Sequence, residues 1–246
     1  MPLTLRLFLA VSGASVLGGV LWLVMKWPPG NLGHIAGSAM ILTGAAAAAE
    51  PLVQVAGRRR VLAAALGAAL IGGAVEIAGL YHRLFGVYAY TDAWQPALTL
   101  PGNRSFPVLL PVVWFTVLAA CYAYARQRLS TAPAVVAGAL LATTLDAVGE
   151  ALLTGPVGFW IWLEPAPFLG APWANSAAWA VTSLAGCSWL AFVTEGRSPS
   201  GNTPRWMILG ALAGVVVIGT THGELRSLWA LVPVVPVLVW QPRAAN

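Results

Sequence analysis

Three acidic residues, Glu76, Asp146 and Glu150, fall inside apolar stretches long enough to cross a bilayer. A charge at mid-helix in hydrocarbon costs roughly 2.5–3.5 kcal/mol on insertion scales, so such residues normally turn inward and carry function. Asp146 and Glu150 are four apart and share one helix face. Carboxylates crowded into a dry site repel one another and lose hydration, so at least one is expected to keep its proton near neutrality. An acid held neutral can protonate a weak base. The same part of the chain is rich in rings: Tyr88, Tyr90, Trp94, Trp114, Trp160, Trp162, Trp173 and Trp179. Ring faces steady a desolvated cation by about 2 kcal/mol. An acid beside an aromatic, apolar pocket suits chemistry through a carbocation, and the substrate such a site meets in a membrane is a long isoprenoid with electron-rich C=C bonds.

Each feature also has a plainer explanation. Trp and Tyr anchor membrane proteins at both interfaces, and buried acids can serve as helix–helix hydrogen-bond partners. The pairs Tyr88/Tyr90 and Trp160/Trp162 are less ordinary, because alternate spacing puts both rings on one side of an extended segment. Glu50, beside Arg58–Arg60 at the cytoplasmic border, is expected to be structural, and Asn175, following Pro172, to cap a helix. His34, His82 and His222 fit no ligand spacing, so no metal centre is expected. Nor is there a phosphate-binding loop, a dinucleotide fingerprint or a nucleophile elbow.

The composition dictates what must position these residues. Of the 246 residues only 9% are charged and 59% are hydrophobic, with mean hydropathy +0.78; a soluble domain carries about 25% charge. The expectation is an all-α, polytopic membrane helical bundle forming a single integral-membrane domain over residues 1–246. About eight apolar runs of membrane-crossing length are counted: Leu7–Met25, His34–Val55, Val61–Leu80, Phe106–Ala125, Ala132–Leu153, Asn175–Thr194, Trp206–Thr221 and Leu228–Trp240. Pro51 predicts a kink or stop in the second, and Pro233 and Pro236 make the last the least regular. Dense small residues in the second, third and fifth runs predict close helix approach. Arg6 before an apolar run resembles a signal peptide, but the run is long and lacks a small-x-small site, so a retained first span is expected. Cys121 and Cys187 read as small buried hydrophobes.

The basic residues set the orientation. With the N-terminus cytoplasmic, Arg6, Arg58, Arg59, Arg60, Arg126, Arg128, Arg197, Arg205 and Arg243 fall inside, and Lys26, Arg83, Arg104 and Arg226 outside. This predicts a multi-pass plasma-membrane protein with both termini cytoplasmic. The net charge of +5 suits anionic lipid headgroups rather than nucleic acid. Glu76 then lies about 22 Å, and Asp146 about 20 Å, from the cytoplasmic end of two helices running the same way. Two aromatic outer loops, Tyr81–Ser105 and Thr154–Ala174, are too apolar for ordinary solvated loops and are expected to cover an intramembrane cavity.

The segments EIAGLYHRLFGVYAYTD, SFPVLLPVVWF, LDAVGE, GFWIW and FLGAPWANSAAW, in this order, resemble the integral-membrane carotenoid hydratases, which include carotenoid 1,2-hydratases and bisanhydrobacterioruberin hydratases. The resemblance runs from about Glu76 to Trp179. Glu76, Gly86, Tyr88, Tyr90, Pro107, Pro111, Trp114, Asp146, Trp160, Trp162, Gly170, Pro172, Asn175 and Trp179 match the family's motifs. Glu150 stands where an Asp is usual, and Ala151 where a Pro is usual.

The resemblance implies cofactor-independent hydration of the terminal C1=C2 bond of an acyclic carotenoid end group. In that scheme Asp146, with Glu150 as partner, protonates the alkene. Tyr88, Tyr90, Trp160 or Trp162 steadies a tertiary cation, and Glu76, with Asn175, orients water and takes its proton. Trp114 and Trp179 complete the substrate-binding set. The implied partners are membrane lipids, the carotenoid and other carotenoid-pathway enzymes. The competing readings are another carbocation reaction, such as cyclisation or isomerisation, a proton-coupled transporter, and a lipid-binding subunit. The lack of an inverted repeat counts against the transporter.

Overall fold

A computed structural model describes residues 1–25 and 30–240. Lys26 and Arg243, used above to orient the chain, lie outside them. The chain folds into helices α1 (Leu3–Met25), α2 (Gly30–Ala56), α3 (Arg58–His82), α4 (Leu110–Arg126), α5 (Thr131–Thr154), α6 (Trp173–Val193), α7 (Thr203–Thr221) and α8 (Val234–Val239). Four short strands join them: β1 (Tyr88–Tyr90), β2 (Ala97–Leu100) and β3 (Arg104–Pro107) between α3 and α4, and β4 (Trp160–Trp162) between α5 and α6. The protein is a helical membrane bundle, and among the described residues six helices are long and apolar enough to span a bilayer.

Two predicted crossings take a different form. The fourth was expected from Phe106, but Phe106 and Pro107 belong to β3, and α4 has 17 residues, roughly 25 Å at 1.5 Å each. The last is broken into a 3-10 turn, Leu225–Leu231, followed by α8, because Pro233 and Pro236 lack the N–H a continuous helix requires. It still joins the two poles. At one end Glu224 accepts the backbone N–H of Arg226 near the α5 terminus. At the other, Arg128 donates to the Trp240 carbonyl at 2.7 Å and Arg205 to that of Leu238 at 2.6 Å. In α2 the helix runs past Pro51 to Ala56.

The short α4 is the hub. It packs against α2, α3, α5, α6 and α7, and Trp114, Leu118, Ala119, Cys121 and Tyr122 have no exposed surface. Gly138 of α5 meets the α4 backbone directly: a Cβ there would lie 3.0 Å from Tyr122 Cα and 3.1 Å from its N. Gly138→Leu should therefore force the helices apart and cost about 1–3 kcal/mol, read as a lowered unfolding temperature in detergent. The outer ring of the bundle carries the opposite character. Leu7, Leu17, Leu32, Ile35, Leu66 and Leu70 are exposed, a surface that in water would drive association and that suits contact with acyl chains.

One pole gathers most of the arginines. Arg60 pairs with Glu195 at 2.5 Å, Arg197 with the same carboxylate at 2.7 Å, and Arg126 donates to the Gly196 carbonyl at 2.6 Å. Glu50, expected to be structural beside Arg58–Arg60, accepts a hydrogen bond from Thr4 and ties α1 to α2. The other pole carries the strands. β2 and β3 form an antiparallel hairpin, while β1 and β4, 70 to 74 residues apart, pair antiparallel with Tyr88 opposite Trp162 and Tyr90 opposite Trp160. The two expected aromatic loops are thus partly a β layer on the end of the bundle.

Candidate active site

Glu76 sits on α3 between two glycines, Gly72 four residues before and Gly79 three after, so the three form one stripe. The glycines leave room for rings. A Cβ at Gly72 would overlap the Trp114 side chain, and one at Gly79 would overlap Phe85 and come within 3.0 Å of Tyr88 Oη. Into the space left by the stripe come three donors. Tyr88 Oη and Tyr90 Oη donate to Glu76 Oε2 at 2.9 and 2.8 Å, and Trp114 Nε1 donates to Oε1 at 3.1 Å. Burial, together with the Glu76 carboxylate beside them, pushes both tyrosine hydroxyls well above the usual range, so each is a firm O–H donor. Trp114 in turn stacks on Trp179 of α6 with 3.8 Å between ring centroids.

The second cluster is built by α5 and α6. Asp146 and Glu150 present their carboxyls on one α5 face, and Asn175 bridges them. Its amide nitrogen donates to Asp146 Oδ2 at 2.9 Å and to Glu150 Oε1 at 2.7 Å. Two carboxyl oxygens facing one amide require its NH2 side, which has two hydrogens to give. The expected capping role of Asn175 is not observed: Pro172 occupies the cap position, and no side chain caps α6. Trp162 Nε1 of β4 donates to Glu150 Oε2 at 3.1 Å.

The β1–β4 ladder links the clusters. Directly opposed residues share a sheet face, so Tyr88, Tyr90, Trp160 and Trp162 point the same way while Ala89 and Ile161 point the other. Tyr88 and Trp162 ring centroids are 5.3 Å apart, and those of Tyr90 and Trp160 are 6.3 Å apart. Tyr88 and Tyr90 hold Glu76, and Trp162 holds Glu150. All ten residues singled out above, Glu76, Asp146, Glu150, Tyr88, Tyr90, Trp114, Trp160, Trp162, Asn175 and Trp179, therefore belong to one connected network of hydrogen bonds and ring contacts. Trp173 stands apart, exposed and stacked on Phe168.

Each of the six carboxyl oxygens can be followed to its donors. Glu76 Oε1 and Oε2, Glu150 Oε1 and Oε2, and Asp146 Oδ2 all accept hydrogen bonds; Asp146 Oδ1 alone accepts none among the described residues. Asp146 is also the least buried of the three, 8% exposed against 1% for Glu150. The site thus offers one unengaged carboxyl oxygen in a network that includes six aromatic rings.

Further residues position the ladder, and of these only Trp94 stood out in the sequence. Trp94 stacks on Phe159 at 4.7 Å and lies 6.1 Å from Trp160. Thr91 Oγ1 donates to the Gly158 carbonyl, and its N–H to that of Phe159, fixing the start of β4 against the end of β1. Gly72 and Gly79 carried a legible signal, the three- and four-residue spacing from Glu76; Thr91 and Phe159 carried none. A groove of about 600 Å3 lies against the β layer. Tyr88 and Tyr90 border it, but the three acids do not, so it is not the acid-lined intramembrane hollow anticipated above.

No curated protein and no solved structure matches the chain significantly. A family model described as carotenoid biosynthesis protein matches residues 36–239, a stretch that contains every residue of this site. The chain belongs to the carotenoid biosynthesis protein family.

Proposed function

We propose that the protein hydrates the terminal C1=C2 bond of an acyclic carotenoid end group. Family membership supports a place in carotenoid synthesis. The observation that carries the finer reading is Asp146 Oδ1, of the site's six carboxyl oxygens the one without a donor among the described residues, in an acid cluster that Asn175, Glu150 and Trp162 join to the aromatic ladder. A proton on Oδ1 passes to C2 of the alkene. The cation left at C1 is tertiary, and the faces of Tyr88, Tyr90, Trp160 or Trp162 steady it. Water adds to C1 and gives a proton to Glu76, whose Oε1 accepts only the Trp114 N–H and keeps a lone pair. A proton returned to Asp146 completes the cycle. The alkene gains the elements of one water and nothing is oxidised, so the scheme calls for no redox cofactor.

Asn175 has a narrower role here than orienting water. Both its N–H bonds are committed to the acids, and it fixes the distance between Asp146 and Glu150. Glu150, with both oxygens engaged, is the fixed partner rather than the donor. The arginine-rich pole faces the cytoplasm and the β layer faces outward, as the positive-inside rule directs, which places the acids in the outer half of the plasma membrane.

The test is product analysis in a host that makes lycopene or γ-carotene. The expected product is heavier than its precursor by one water. A product of unchanged mass would replace hydration by cyclisation or isomerisation, and substrate counterflow in proteoliposomes without any product would replace it by transport.

A further inference from the structure

Hydration consumes water at a point buried in an apolar bundle, and the co-substrate needs a route. Below the acids the way is closed: Trp114, Phe115, Leu118, Ala119 and Cys121 of α4 fill the bundle axis and are at most 4% exposed. Above them lies the groove of about 600 Å3. At about 30 Å3 per molecule it holds on the order of twenty waters, and its lining suits them: Arg83, Asp92, Gln95, Asn103, Arg104 and Ser105. Its floor is Gly79, Tyr88 and Tyr90. These are the residues that touch Glu76 from the other side, since both tyrosine hydroxyls donate to Glu76 Oε2. Gly79 lets the rings close on that floor: a Cβ added there would overlap Phe85 and come within 3.0 Å of Tyr88 Oη, so the boundary is a packed layer of side chains one residue deep over Glu76.

We infer that this groove is the aqueous port of the site, through which water reaches the acids from the face carrying the β layer, by way of the Gly79–Tyr88–Tyr90 floor. The inference rests on the hydratase reading. It assigns Tyr88 and Tyr90 a second role as the boundary between solvent and the acid cluster. The β2–β3 hairpin, which supplies Ala97, Leu98 and Thr99 to the wall, becomes the element that keeps the port open.

The test is a single cysteine in the groove wall, Thr99→Cys or, as an independent variant, Ser105→Cys. Both native cysteines are buried, so background labelling is low. Cells making the carotenoid are treated with a membrane-impermeant, positively charged methanethiosulfonate reagent. The expected result is modification from the outside, loss of most of the variant's hydration rate, and recovery when a reductant removes the adduct. Each variant is its own reference, so a change caused by the substitution itself does not enter. Modification that leaves hydration at the unmodified rate in both variants would overturn the port, as would modification only from the cytoplasmic side. If the unsubstituted chain adds no water to any carotenoid, the hydratase reading fails instead, and the side from which the cysteines are labelled still decides whether the groove opens outward.

Discussion

Asp146→Asn is expected to lower hydration by about 10²–10⁴-fold, the usual contribution of a general acid, while the protein still accumulates in the membrane. The substitution separates chemistry from structure. Asn175 donates to Asp146 Oδ2 at 2.9 Å, and an asparagine carbonyl in that position still accepts. The amide nitrogen takes the place of Oδ1, which has no partner to lose among the described residues. What disappears is the transferable proton. Asp146→Ala would be less informative, because it also strands a donor of the buried Asn175, at a cost of about 1–3 kcal/mol. The measurement is chromatographic separation of precursor and hydrated product, normalised to the amount of folded protein recovered in detergent. Hydration by Asp146→Asn at the unsubstituted rate would remove Asp146 from its role and leave Glu150 or Glu76 as the proton source.

Trp114→Ala should produce the largest loss of stability, about 3–5 kcal/mol by the scale of large-to-small aromatic substitutions in cores. In a bilayer, packing and hydrogen bonds carry a greater share of bundle stability than burial from water does, and Trp114 supplies both. It has no exposed surface and stacks on Trp179 at 3.8 Å. It fills the gap opposite Gly72 and donates to Glu76 Oε1 at 3.1 Å. Trp114→Phe keeps most of the ring and loses the N–H, so its cost should fall to on the order of 1–3 kcal/mol. Unfolding temperatures of purified protein in one detergent check both. An alanine variant that melts with the parent would show that α4 is not the hub described here.

The acids were legible because the cost of a charge in hydrocarbon makes Glu76, Asp146 and Glu150 conspicuous in a chain with so few charges. Their similar depth followed from counting residues along helices that run the same way. The ring pairs Tyr88/Tyr90 and Trp160/Trp162 were legible through alternate spacing alone. The broken last crossing was visible only as two prolines; whether the segment still joined the poles depended on Arg128 and Arg205 catching the carbonyls of Trp240 and Leu238. A structural role for Glu50 was legible from its place near Arg58–Arg60, but its partner was not, because nearness in sequence says nothing about which face of α2 it occupies. The helix turns it toward Thr4 on α1.

The amino-acid order alone determined that the chain is a helical membrane bundle and that Glu76, Asp146 and Glu150 had to be inside, because both follow from local hydrophobicity and the cost of charge in hydrocarbon. It did not determine that β1 pairs with β4, that Asn175 spans two carboxyls instead of capping its own helix, or that five of six carboxyl oxygens are occupied and Asp146 Oδ1 is not. Those are contacts between groups far apart along the chain. No local propensity encodes them; the packing of α3, α5 and α6 around α4 decides them by bringing each donor within reach of one acceptor and not another.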